Sequence, residues 1–177
     1  MLQTKIKFAL AFISLFLSVS ILALPSDGQQ EIHITSDSAF LDKQQGRLVY
    51  SGNVEMKQGS LSIQADRITL VRTELGLQKV IALGKPAHYE QVLSVAGGKT
   101  QAYGETIIYS TQNEELTLLV NAGLKKQGNL FSGEKIVYLI KEQRVKADSH
   151  SQDGRIHMVI QPKKKPTEAP DKNKESK

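Results

Sequence analysis

The chain has 177 residues, 23 Lys or Arg, 18 Asp or Glu, no Cys and no Trp. That length suits one domain of ordinary size, and the absence of Cys excludes a disulfide scaffold, a thiolate zinc site and a cysteine nucleophile. The net charge of +5 sits at the ends: without Lys5, Lys7 and the lysines and acids beyond Pro162, the remaining 15 basic residues face 15 acidic ones, so the middle of the chain is neutral and no general nucleic-acid or polyanion surface is indicated.

In chain order, the first element reads as a secretory signal. Lys5 and Lys7 precede an apolar run from Phe8 to Leu22, interrupted only by Ser14, Ser18 and Ser20. The run is shorter than the roughly 20 residues of a membrane-spanning helix, and Ala23 suits the residue before a cleavage point. Residues 1–23 are therefore expected to direct export and be removed. The domain is expected over 24–161. Residues 162–177, rich in Lys, Pro and Glu with Ala169 as the one apolar residue, are expected to be a disordered tail.

Between these ends the pattern is that of β-strands. Apolar and polar residues alternate in Ile32-His33-Ile34, Val54-Glu55-Met56, Leu61-Ser62-Ile63, Ile68-Thr69-Leu70, Leu116-Thr117-Leu118 and Ile156 to Ile160. Turn residues bound each run, with Gln58-Gly59 and Gln127-Gly128 read as hairpin loops and Gly97-Gly98 as a turn. A spacing of roughly 8–12 residues per strand predicts about a dozen or more short strands.

An internal repeat adds information. A small residue and an acid precede two alternating apolar residues at Ser36-Asp37, Ala65-Asp66, Gly104-Glu105 and Gly133-Glu134. A second landmark follows at Gly52-Asn53, Gly84-Lys85 and Val120-Asn121. Across each acid the apolar parity moves by three: Ile32 and Ile34 give way to Ala39 and Leu41, and Leu61 and Ile63 to Ile68 and Leu70. A one-residue slip would turn every side chain to the other face, so a bulge or tight corner must absorb it. The carboxylates are expected to bond local backbone N–H groups there, a structural role. The units then build an elongated all-β sheet whose end strands present unpaired backbone groups.

No nucleotide-binding, hydrolase or zinc-protease motif is present. No enzyme activity, cofactor or metal site is expected; His33 and His157 fall on outward parity with the polar residues. Outside the signal the aromatic residues are Phe40, Phe131, Tyr50, Tyr89, Tyr103, Tyr109 and Tyr138, so the interior is aliphatic. A thin ordinary core and an open groove for acyl chains both fit that interior; in the groove each buried CH₂ contributes about 0.8 kcal/mol.

The ordered set Ile32-His33-Ile34 with Ser36-Asp37, Tyr50-Ser51-Gly52-Asn53-Val54, Gln58-Gly59, Ala65-Asp66, Gly84-Lys85-Pro86-Ala87, Asn121-Ala122 and Tyr138 to Gln143 resembles the OstA-like (LptA) family of periplasmic lipopolysaccharide transport proteins over about residues 31–148. Val120 departs from it, standing where the family usually has Gly. The resemblance implies an elongated, open β-jellyroll of stacked antiparallel strands, located in the periplasm. It implies lipid A bound in an apolar groove, an LptC-like inner-membrane partner at the N-terminal edge, and an LptD-like outer-membrane partner or another copy, head to tail, at the C-terminal edge. By parity the groove residues would be Ile32, Ile34, Tyr109, Phe131, Ile136 and Tyr138. The edges would be Glu31, Ile32, His33 and Ile34 at one end, and Arg155, Ile156, Met158 and Ile160 at the other. Alternatives are a membrane-anchored LptC-like component and an edge-strand scaffold without lipid cargo.

Overall fold

Short alternating runs bounded by turn residues produce a single antiparallel sheet. The computed structural model describes residues 27–94, 98–149 and 154–162. The expected signal and nearly all of the Lys-rich tail lie outside them, as does part of the Gly97-Gly98 turn. After a one-turn 3-10 helix, Asp27–Gln29, the strands are β1 (Ile32–Thr35), β2 (Ser38–Asp42), β3 (Arg47–Gln58), β4 (Leu61–Thr73), β5 (Gly76–Ser94), β6 (Gly98–Ser110), β7 (Glu115–Lys126), β8 (Asn129–Leu139), β9 (Arg144–Asp148) and β10 (His157–Val159). Neighbours run β1-β3-β4-β5-β6-β7-β8-β10, with β2 also on β3 and β9 also on β8.

The expectation of a dozen or more short strands is corrected: among the described residues there are ten, the longest of 19 residues. The reason is that the central strands pass through the corner instead of ending there. The register slips at Ser51/Val54 against β4, Gln64/Arg67 and Leu83/Ala87 on either side of β5, Tyr103/Thr106 against β7, and Leu119/Ala122 against β8. These slips form one line across the sheet, where the repeat places its acids and its second landmarks. On one side of the line lie β1, β10 and half of each long strand; on the other lie β2, β9 and the remaining halves.

The corner chemistry differs in detail from the sequence reading. The Asp37 and Glu105 carboxylates each accept from an asparagine side chain, Asn53 Nδ2 and Asn121 Nδ2, both at 2.9 Å. The donors are amides on the neighbouring strand, not local backbone N–H groups, because Gly52-Asn53 and Val120-Asn121 adopt positive φ (83°, 45°, 61° and 53°) and turn the amide toward the acid. In these two copies the landmarks of the repeat are thus the two sides of one contact. Val120 holds the left-handed conformation without glycine's freedom, a strained state for a β-branched residue.

The fold at this line sets the two layers face to face over a shared interior. Among the described residues eighteen hydrophobic ones are buried there, nine from each layer. The first contributes Val54, Met56, Leu61, Ile63, Ala87, Tyr89, Ala102, Ala122 and Leu124; the second contributes Ile68, Leu70, Val80, Ala82, Ile107, Leu116, Leu118, Ile136 and Tyr138. Alternation along every strand aims these inward, and full burial of one large aliphatic side chain is worth about 1.5–3 kcal/mol.

Candidate functional site

The interior changes along its length. From β6 to β8 it is packed: Ile136 and Tyr138 of β8 are fully buried, and Tyr109 of β6 and Phe131 of β8 are half-buried against the same cluster. Tyr89 and Tyr109 meet across the two layers with ring centroids 6.1 Å apart and tilted by 56°, an arrangement that favours the ring quadrupoles. Burial pushes the Tyr89 phenol well above its ordinary pKa, helped by the nearby Tyr109, Tyr138 and Asp27; burial also raises Tyr109.

At the N-terminal end the packing opens into a cavity of about 600 Å³. Ile32 and Ile34 of β1 line it, with Leu48, Tyr50, Leu70 and Leu77 behind and Gln30, Gln58 and Arg72 at its margin. All six groove residues named from parity therefore face the interior or its mouth. Ile32 and Ile34 meet at the cavity, while Tyr109, Phe131, Ile136 and Tyr138 lie deeper in the packed section.

A strap lies over this mouth. Asp27 accepts hydrogen bonds from Ser60 N (2.7 Å), Ser60 Oγ (2.6 Å) and Gln91 Nε2 (2.6 Å). Gln91 in turn accepts one from the Tyr89 hydroxyl, and Gln58 Nε2 donates to the Gln30 carbonyl at 3.1 Å. The strap joins the 3-10 turn to the β3–β4 hairpin and to β5. At the far end Lys126 donates to the Tyr138 hydroxyl at 2.6 Å, its ammonium 4.9 Å from the ring centroid. Sequence reasoning missed Asp27, Gln58, Gln91 and Lys126. For Gln58, Gln91 and Lys126 the available signal was a polar residue on inward parity near a strand end, a place where alternation is easily read as simply stopping; Asp27 lies in the 3-10 turn, where parity gives no signal.

The sheet's two ends are the other feature. β1 pairs with β3 from Ile32↔Gln58 to Thr35↔Glu55 and has no second neighbour among the described residues. β10 pairs with β8 from His157↔Ser132 to Val159↔Leu130 and likewise ends the order. Glu31 precedes β1; Arg155 and Ile156 precede β10, and Ile160 follows it. Ile156, Met158, Val159 and Ile160 are all exposed, the last at 68%.

A sheet folded on itself along one corner line, with an aliphatic interior and both ends left open, defines the class: an open β-jellyroll. A model of the family described as LptA/(LptD N-terminal domain) LPS transport protein matches residues 33–144, and the chain belongs to that family. The chain is 43% identical over 151 residues to the lipopolysaccharide export system protein LptH of Pseudomonas aeruginosa, covering 81% of this chain and 86% of that protein. It is 31% identical over 162 residues to the lipopolysaccharide export system protein LptA of Escherichia coli K12, covering 90% and 86%. The crystal structure of Pseudomonas aeruginosa LptH, described as the periplasmic component of a lipopolysaccharide transport device, superposes with a TM-score of 0.71 at 41% identity, covering 78% of this chain and all of that one. The similar proteins are transport proteins, in keeping with a site built from packing and strand edges.

Proposed function

We propose that this chain is a periplasmic carrier that holds lipopolysaccharide by its acyl chains between the two layers and hands it on through its sheet ends. The observation that carries this reading is the placement of the cavity beside β1, where Ile32, Ile34, Leu48, Leu70 and Leu77 share the lining with polar residues: the place where a chain could enter adjoins the edge where another sheet could continue the strand order. Added strands supply main-chain hydrogen bonds and keep the interior continuous from one domain to the next. On this reading Glu31 to Ile34 receive an LptC-like inner-membrane domain. Arg155 to Ile160 receive an LptD-like outer-membrane domain or the β1 edge of another copy; such head-to-tail contacts need not close into a ring. Residues 1–23 act as a cleaved signal and 162–177 as a solvated tail.

The cavity of about 600 Å³ is within the range of small-ligand clefts, so a glycolipid with several acyl chains must part the layers beyond it. Ile32 and Ile34 are then the first residues met, and Tyr109, Phe131, Ile136 and Tyr138 become lining as the packed section opens. No nucleotide motif occurs in the chain, so the work of transport is supplied elsewhere.

Native mass spectrometry of protein extracted from the periplasm tests this. A carrier co-purifies with lipid A-sized adducts. A lipid-free spectrum of an otherwise intact, self-associating protein would leave the scaffold reading, and a mature N-terminus that retains residues 1–23 would leave the anchored one.

A further inference from the structure

Polar side chains interrupt the aliphatic interior along one lip. The register Gln91↔Thr100↔Lys126↔Asn129 runs across four consecutive strands on the inward side of the first layer; Gln58 holds the same tier of β3, separated from Gln91 by its β4 partner, the buried Leu61. The facing tier of the second layer is Leu70↔Val80↔Tyr109↔Leu116↔Tyr138. That the two tiers face one another is shown by the Lys126–Tyr138 bond. From β5 to β8 one lip is therefore polar, and the other is built from aliphatic and tyrosine side chains.

Two members of the polar row are not satisfied by their own fold. Thr100 is wholly buried, yet its Oγ1 has no hydrogen-bond partner. A buried hydroxyl without a partner costs stability and calls for an explanation. Lys126 has three N–H donors and places one on a neutral phenol; none of the ion pairs among the described residues includes it. A cation and a donor hydroxyl on adjacent strands are suited to an anion bearing several acceptor oxygens, and an ammonium acts on phosphate as a point charge.

We propose that this row is a rail for the phosphorylated sugar headgroup of the cargo lipid, an inference that rests on the lipid-carrier reading above. When the layers part, phosphate oxygens replace the Tyr138 phenol at Lys126 Nζ and accept from Thr100 Oγ1. Sugar hydroxyls exchange with the amides of Gln58, Gln91 and Asn129. The acyl chains lie against the opposite apolar tier. Because strands are about 4.8 Å apart, the rail offers a series of closely spaced, individually weak polar sites, which lets a headgroup move along it without a deep trap.

The test uses the full mature chain and three probes: bisphosphorylated lipid A, the same lipid A enzymatically dephosphorylated, and inorganic phosphate. Binding is read by displacement of a fluorescent acyl probe, and folding by thermal unfolding. The wild type is expected to bind the phosphorylated lipid at least about fivefold more tightly than the dephosphorylated one. Lys126→Met is expected to bind both with the weaker affinity, and Lys126→Arg to keep the preference. Thr100→Val is expected to raise the unfolding temperature while weakening lipid A binding several-fold, a combination that a purely structural threonine does not give. If wild type binds both lipids equally, or Lys126→Met keeps the preference, or Thr100→Val binds as wild type, the rail is refuted and the carrier reading stands. If wild type binds neither lipid, both fall. Displacement or stabilisation by inorganic phosphate alone at comparable concentration would make this a free-anion site and overturn the rail.

Discussion

Asp27→Ala tests how the N-terminal mouth is held. The carboxylate accepts three hydrogen bonds, two from Ser60 and one from Gln91. Ser60 is exposed, so water replaces what its donors lose and little is forfeited there. Gln91 is 7% exposed; its amide is left in the interior without its partner, at a cost of about 1–3 kcal/mol. The net loss is about 2 kcal/mol, and at roughly 2–4 °C per kcal/mol for a chain of this size the midpoint should fall by about 4–8 °C. Differential scanning calorimetry reads the shift, with Asp27→Asn as the variant that keeps one carbonyl acceptor and should lose less. The same substitution should increase lipid crosslinking at Ile34, because the strap residues Gly28 and Gln30 line the cavity beside it. A midpoint within 1 °C of wild type would show that the strap does not hold the mouth.

Two further outcomes follow from the same structure. Tyr89 and Tyr109 have phenol pKa values raised by burial, so their contribution is fully present below the unfolded value of about 10 and is lost as pH rises toward the raised folded values; stability should decline above about pH 10, and Tyr89→Phe should flatten that decline in pH-jump denaturation curves. Gly52→Val should cost about 2 kcal/mol or more in urea denaturation, since a side chain at this φ of 83° is strained and its Cβ would overlap the Asp37 carboxyl that Asn53 bonds; an unchanged midpoint would mean that the corner carries no such constraint.

The strands were legible because burial on one face leaves a period of two. All of the alternating runs from Ile32 to Ile160 lie in or directly flank strands. The corner was legible because apolar parity moves by three across Ser36-Asp37 and Ala65-Asp66, and only an irregularity in the ladder keeps both sides facing inward. Strand continuity through the corner was not, since Gly84-Lys85-Pro86 reads as a break, yet β5 runs through it with a cis Lys85–Pro86 bond. Parity gave the side on which Ile136 and Tyr138 lie but not their depth: access depends on what meets them across the interior, and no periodicity along one strand contains that. The polar lip stayed hidden for a related reason. Gln91 and Thr100 face each other across one hairpin, but Lys126 lies 26 residues on, and only the register of three strands makes them one row.

Site-specific photocrosslinking to lipopolysaccharide in living cells tests the carrier reading most directly. A crosslinker would be placed at the inward Ile32, Ile34, Tyr109 and Phe131 and at their outward neighbours His33, Thr35, Ile108 and Ser132. The account predicts lipid adducts at the inward four and none at the outward four. Adducts on both sets alike, or on neither while the protein is folded and exported, would contradict it.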